Sequence, residues 1–235
     1  MNNNNNNKTY KPGNIYEHDD YLYKYKYIGN TVFESKYIIV ADAKCELKGE
    51  TYVSSDGGDY DTDYNTTGLV RNKERWYCFL KYRDSEDDNI IMLDLILINS
   101  KLYNALPEKS DFEKLEELNW EGDGSVTICN NNLVIFDCKY FNNTSKFNIP
   151  DNIKTMPHPW YEYISRSLMK HAESIMSNTH GVALFIDNGD YEIYNIKDTK
   201  TDEVLGVDIE LHSGMTDDAS DLFESDLVNQ DVKVV

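Results

Sequence analysis

From residue 181 to residue 211 the apolar positions change from helical spacing to alternation, and Asn188-Gly189 stands between two runs of strand-forming residues. Asn-Gly is the preferred centre of a type I′ turn, because both central residues must take positive φ, so the pattern predicts a hairpin of residues 182–186 and 191–196. A third run, 204–211, sets Leu205, Val207, Ile209 and Leu211 against Gly206, Asp208 and Glu210. That alternation predicts one buried and one solvated face, and the three runs together predict a C-terminal antiparallel meander.

Upstream, residues 75–80 and 90–98 are apolar runs separated by Arg83-Asp84-Ser85-Glu86-Asp87-Asp88. They predict a second hairpin, and the run Ile-Ile-Met-Leu-Asp-Leu-Ile-Leu-Ile, apolar on both faces, predicts a central strand covered on each side. Asp94 interrupts it. A carboxylate on such a strand has to be paired, hydrogen-bonded or functional, and Arg75, Lys81 and Arg83 on the neighbouring run are its candidate partners. Tyr21, Tyr23, Tyr25 and Tyr27 recur at period two and predict a strand; a second follows at Tyr37-Ile38-Ile39-Val40. Tyrosines so spaced read as sheet packing, with a stacking platform as the functional alternative. Gly122-Asp123-Gly124 reads as a chain break, followed by a hairpin of 125–129 and 133–137 around Asn130-Asn131-Asn132.

Two helices are expected. Ser110-Asp111-Phe112-Glu113 is a capping box that starts a short helix running to about residue 118. His158-Pro159-Trp160 opens the longer one, where Trp160, Ile164, Leu168, Ala172, Ile175 and Met176 recur at spacings of three and four up to residue 178. The expected fold class is α+β, made predominantly of antiparallel hairpins and the meander, with one long amphipathic helix and one short helix. A single domain is expected over 21–212, preceded by an Asn-rich disordered tail (1–20) and followed by an acidic tail (213–235).

A chain of 235 residues with 40% hydrophobic residues, 18 Tyr and 8 Phe is ample for a buried core, although the mean hydropathy is -0.63. The formal net charge of -19 repels phosphate backbones and anionic lipid headgroups, so nucleic acid and membrane are excluded as expected partners. A cation or a basic protein patch is favoured electrostatically, while acidity that serves only to keep the protein soluble is the commoner reading and names no ligand. No basic leader followed by an apolar core begins the chain and no window approaches the roughly 20 apolar residues of a membrane span, which sets the expected localisation as cytoplasmic. Cys45, Cys78, Cys129 and Cys138 carry no Cys-x-x-Cys or zinc spacing and are expected to stay reduced, with Cys129 and Cys138 facing each other across a hairpin as paired buried thiols.

The motifs that could carry chemistry are incomplete. Asp59, Asp61 and Asp63 alternate as at the start of a calcium loop and are candidate metal ligands. The later loop positions, however, hold Tyr64 and Val70 where Gly and a bidentate Glu are needed. Asp123, Asp187 and Asp190 at the turns, with His180, are candidate catalytic residues that could hold a divalent metal for hydrolysis; turn aspartates also serve simply to cap their own backbone. His171 is a further isolated histidine. Gly122-Asp123-Gly124-Ser125 with Asp137, then Asn188-Gly189-Asp190-Tyr191-Glu192-Ile193-Tyr194 and Val204-Leu205-Gly206-Val207-Asp208, resembles an uncharacterised, mostly bacterial β-rich domain family of unknown function. The resemblance implies a β-rich single domain with helices between hairpins, and no catalytic residues. The expected function is a non-enzymatic cytoplasmic binding or regulatory protein acting through a protein partner, with no cofactor. The alternatives are a Ca- or Mg-dependent hydrolase using the turn carboxylates, and a calcium-responsive protein.

Overall fold

The computed structural model describes residues 15–17, 23–45, 64–67, 73–84, 90–105, 118–169, 173–175 and 180–211. The expected metal ligands Asp59, Asp61 and Asp63, the capping-box helix, His171, and the polar ends other than 15–17 lie outside these residues. Among the described residues twelve strands alternate with short helices: β1 (Ile15–Glu17), β2 (Lys24–Phe33), β3 (Ile38–Asp42), β4 (Tyr64–Thr67), β5 (Glu74–Asp84), β6 (Ile90–Asn99), α1 (Ser100–Ala105), β7 (Glu121–Ile128), β8 (Asn132–Asp137), α2 (Asp151–Lys154), α3 (Pro159–Leu168), β9 (Glu173–Ile175), β10 (Gly181–Phe185), β11 (Gly189–Lys197) and β12 (Val204–Glu210). They form two antiparallel sheets, a seven-stranded one in the order β1-β2-β5-β6-β12-β11-β7 and a five-stranded one in the order β4-β3-β8-β10-β9.

The two sheets pack face to face. Phe33, Trp76, Cys78, Leu95, Leu97, Val207 and Ile209 of the larger sheet meet Ile38, Val40, Leu133, Ile135, Val182 and Leu184 of the smaller in one buried cluster. The opposite face of the smaller sheet, through Ile39, Val134, Phe136 and Ala183, is covered by a helical layer that contributes Phe147, Ile153, Trp160, Ile164 and Leu168. Strands β3 and β8 are therefore buried at every position. On the far face of the larger sheet, Tyr27, Phe79, Ile96, Ile98 and Ile196 are covered by Leu102 and Tyr103 of α1.

Several expectations hold. Strands β5 and β6 are paired neighbours, and β6 lies at the centre of the larger sheet. Asp94 is paired with Lys81, at 3.3 Å, one of the three cations expected to meet it. Tyr25 and Tyr27 are buried packing residues. The class is mixed, sheet-rich α+β with antiparallel pairing.

The principal correction concerns the asparagine turns. Strands β10 and β11 belong to different sheets, as do β7 and β8, so neither Asn188-Gly189 nor Asn130-Asn131-Asn132 closes a hairpin. Neither Asn188 nor Gly189 has positive φ; Asn131 does, at 59°. The two links interlock instead. The Asn131 backbone amide donates to Asn188 Oδ1 at 2.9 Å, its Nδ2 donates to the Ile186 carbonyl at 3.1 Å, and the Ile186 amide returns a bond to the Asn131 carbonyl at 3.0 Å. The expected meander is thus reduced to the β11–β12 hairpin.

Three further boundaries move. Gly122-Asp123-Gly124 lies inside β7, where the register against β11 shifts between Ile193 and Tyr194; Asp123 is the extra residue of a β-bulge and Gly124 takes φ 104°. The long helix ends at Leu168 rather than continuing to 178, because residues 173–175 pair with β10 and satisfy the backbone groups of its edge. Trp160, Ile164 and Leu168 already complete the helix's buried stripe. Residues 15–17, placed by sequence in the polar extension, pair with β2 as strand β1.

Candidate functional site

The expected catalytic residues do not share a cleft. Asp190 accepts from Thr127 Oγ1 at 2.6 Å, while Asp123, four residues earlier on β7 and roughly 13 Å away along the strand, lies 3.8 Å from Lys197 Nζ. Asp187 precedes β11, and its carbonyl accepts the Tyr191 hydroxyl at 2.6 Å. His180 stands at the other end of β10, a strand length of roughly 17 Å from Asp187. Its ring stacks on Tyr140 with centroids 3.6 Å apart, and its Nδ1 is 3.3 Å from the Val32 carbonyl oxygen. Among the described residues no group of three or more His, Cys, Asp or Glu side chains is placed to hold a metal ion.

Two buried aspartates, Asp42, which has no motif in the sequence, and Asp137, which enters there only through the family resemblance, organise the ends of the smaller sheet. Asp137 accepts from the backbone amides of Glu34, Ser35 and Lys139 at 2.6, 2.8 and 2.9 Å, and from the Ser35 hydroxyl. Beside it, hydrogen bonds from the Tyr140 hydroxyl and from Lys139 hold Glu34 down to about 2. Asp42, at the far end of β3, accepts from the amides of Cys129 and Asn130 at 2.8 Å and from that of Lys44 at 2.8 Å. These carboxylates are saturated by backbone donors, which is the chemistry of a clamp rather than of an acid or base. Their signal in the sequence is slight: each is an aspartate ending an apolar run.

Asp42 also floors a cleft of about 350 Å³. Lys44 and Cys45 from the end of β3, Thr127, Cys129 and Asn130 from the end of β7, and His158 at the head of α3 form its walls. Cys129 is exposed and Cys138 half-buried, at opposite ends of β8; they do not face each other as a buried pair.

The larger sheet carries the other concentration of polar chemistry. The strand registers align Lys81, Asp94, Glu210 and Glu192 in one row across four strands. The next row brings Asp208 between Ile96 and Tyr194. All project from the face opposite the sandwich core, as does Asp190 two residues before Glu192, since the intervening Tyr191, Ile193, Val207 and Ile209 point into that core. The Tyr194 hydroxyl donates to Glu210 at 3.3 Å. Asp208 Oδ1 is covered and has no hydrogen-bond partner among the described residues. Burial, and then the charge of Asp94, push the Asp208 carboxyl well above the usual carboxylate range, against the pull of Lys81. Alternation along 204–211 identified Asp208 and Glu210 as one face; only the register reveals that they continue across β6 and β11.

No helix among the described residues is long and apolar enough to cross a membrane. Comparison with protein-family models, with curated proteins and with solved structures yields no match.

Proposed function

We propose that this is a non-enzymatic, cytoplasmic binding or regulatory protein acting through protein contacts. Its carboxylate-lined half of the seven-stranded sheet receives a basic segment of the partner. The observation that supports this reading is the row of Asp94, Glu210 and Glu192 with Asp208 and Asp190 beside it, on neighbouring strands of one face. A sheet fixes its side chains at regular spacing, so the exposed Asp190 and Glu192 and the half-buried Glu210 are presented without the ordering cost a loop incurs, with Asp94 and Asp208 beneath them. The overall charge of -19 adds long-range attraction for a cationic partner.

The test separates this face from net charge. Glu192→Lys with Glu210→Lys, and as a control Asp151→Lys with Glu162→Lys on the helical layer, change the charge equally. Titration with a lysine-rich polypeptide at physiological salt is expected to show about tenfold weaker binding for the first pair and little change for the second. Equal losses in both would reduce the effect to general electrostatics and overturn the reading.

A further inference from the structure

The four cysteines show no motif in sequence, and the fold sorts them into two classes. Cys78 lies within the sandwich core, and its thiol is raised far above its ordinary value by burial; burial likewise pushes the Cys138 thiol up to about 12. Exchange chemistry proceeds through the thiolate, which the core position of Cys78 disfavours, and Cys138, at the far end of β8, does not line the cleft described above. Cys45 and Cys129, 84 positions apart in sequence, line the same cleft. Asp42 brings them together. The Cys45 amide donates to the Asp42 carbonyl at 2.9 Å and the Cys129 amide to Asp42 Oδ2 at 2.8 Å, so both cysteine backbones are anchored to one buried residue. Cys129 is exposed, whereas Cys45 is 8% exposed and belongs at its edge to the buried cluster of Phe136 and Trp160.

We propose that Cys45 and Cys129 are a dithiol–disulfide pair that exchanges with low-molecular-weight disulfides of the glutathione class, closing a latch across the cleft between the end of β3 and the β7–β8 link. Access fixes the order of events. The Cys129 thiolate attacks one sulfur of the small disulfide, whose S–S bond breaks and releases one small thiol. The Cys45 thiolate then attacks the Cys129 sulfur of the mixed disulfide and displaces the second small thiol. Two protein thiols lose two electrons and two protons in all, and the small disulfide gains them as two thiols. The cleft volume of about 350 Å³ is at the small end of ligand sites, suited to a short peptide thiol, and Lys44 supplies a cation for its carboxylates. Cys45 follows the turn at residues 43–44 that ends β3, and Cys129 lies in the bend after β7, so neither is held in a strand interior.

The full-length protein, incubated with oxidised glutathione, acid-quenched, alkylated and digested without reduction, gives the answer by mass spectrometry. The expected products are a Cys45–Cys129 linked peptide and an intact mass lower by two hydrogens, both reversed by dithiothreitol. Cys45→Ser is expected to trap one glutathione on Cys129, and Cys129→Ser to take up none at Cys45. Glutathione retained on wild-type Cys129 without a cross-link, a link from Cys45 to another cysteine, or two unmodified thiols would each overturn the proposal. The wild-type map decides by itself, whatever the folding of the variants.

Discussion

The outer face of the five-stranded sheet and the outer face of the seven-stranded sheet begin from the same backbone geometry and end in opposite chemistry. On the smaller sheet, β3, β8 and most of β10 are apolar on both sides, and a helical layer seals the outer one with Trp160 among Phe136, Phe141 and Phe147. On the larger sheet, among the described residues, that cover reaches the half beneath α1; the other half carries Asp94, Asp208, Glu210, Glu192 and Asp190. The difference shows how burial sets the share each face takes in stability. A face sealed by aromatic rings contributes most of its free energy to the fold, while a carboxylate row contributes little to it.

Substitutions that break this contrast should differ accordingly. Trp160→Ala is expected to cost about 4 kcal/mol in urea unfolding, since it empties the centre of the aromatic cluster; a loss near that of a surface site would mean the helical layer is dispensable. Asp137→Ala, which leaves three backbone amides at the rim of the same sheet without their acceptor, should cost about 3 kcal/mol by the same measurement.

On the acidic half the sign reverses. Asp208 titrates higher folded than unfolded, so the folded state binds more protons between the two values. Its contribution is least unfavourable below the unfolded value near 3.8 and worsens as pH rises toward the folded one. Asp208→Asn should therefore stabilise the protein at neutral pH, on the order of 1 kcal/mol, with the gain fading below about pH 4 in denaturant titrations run across pH. A variant less stable than wild type at pH 7 would show that the buried charge is compensated. Glu192→Gln, at an exposed position of the same row, should leave stability within about 0.5 kcal/mol while weakening association with a basic polypeptide; a large stability change would place Glu192 on the folding side of the comparison.

How much was legible follows residue by residue. The β5–β6 hairpin and the Asp94–Lys81 pair could be read because neighbouring strands joined by a short polar link pair locally, and a carboxylate in an apolar run demands a cation nearby. Pro159 marked the start of α3 correctly. The asparagine turns were misread because their local preference for a hairpin competes with a difference between the flanking strands. Val182-Ala183-Leu184 is apolar on both faces and Tyr191-Glu192-Ile193 on one, so the former belongs inside the covered sheet and the latter in the half-solvated one. That contrast was present in the chain and outweighs the Asn-Gly signal. The turn aspartates were credited with chemistry because nothing local separates a ligand from a residue that serves a bulge or caps a neighbour.

By itself the sequence determined what its local periodicities and composition encode: a β-rich mixed fold, the two-faced apolar run of β6, the single-faced run of β12, the opening of α3 and the strong negative charge. Tertiary structure alone decided which strands share a sheet, where α3 yields to an edge strand, which aspartates become clamps, and which carboxylates and thiols become neighbours. The physical reason is that these depend on register and on sheet-to-sheet packing, contacts between residues tens of positions apart, which no local pattern specifies.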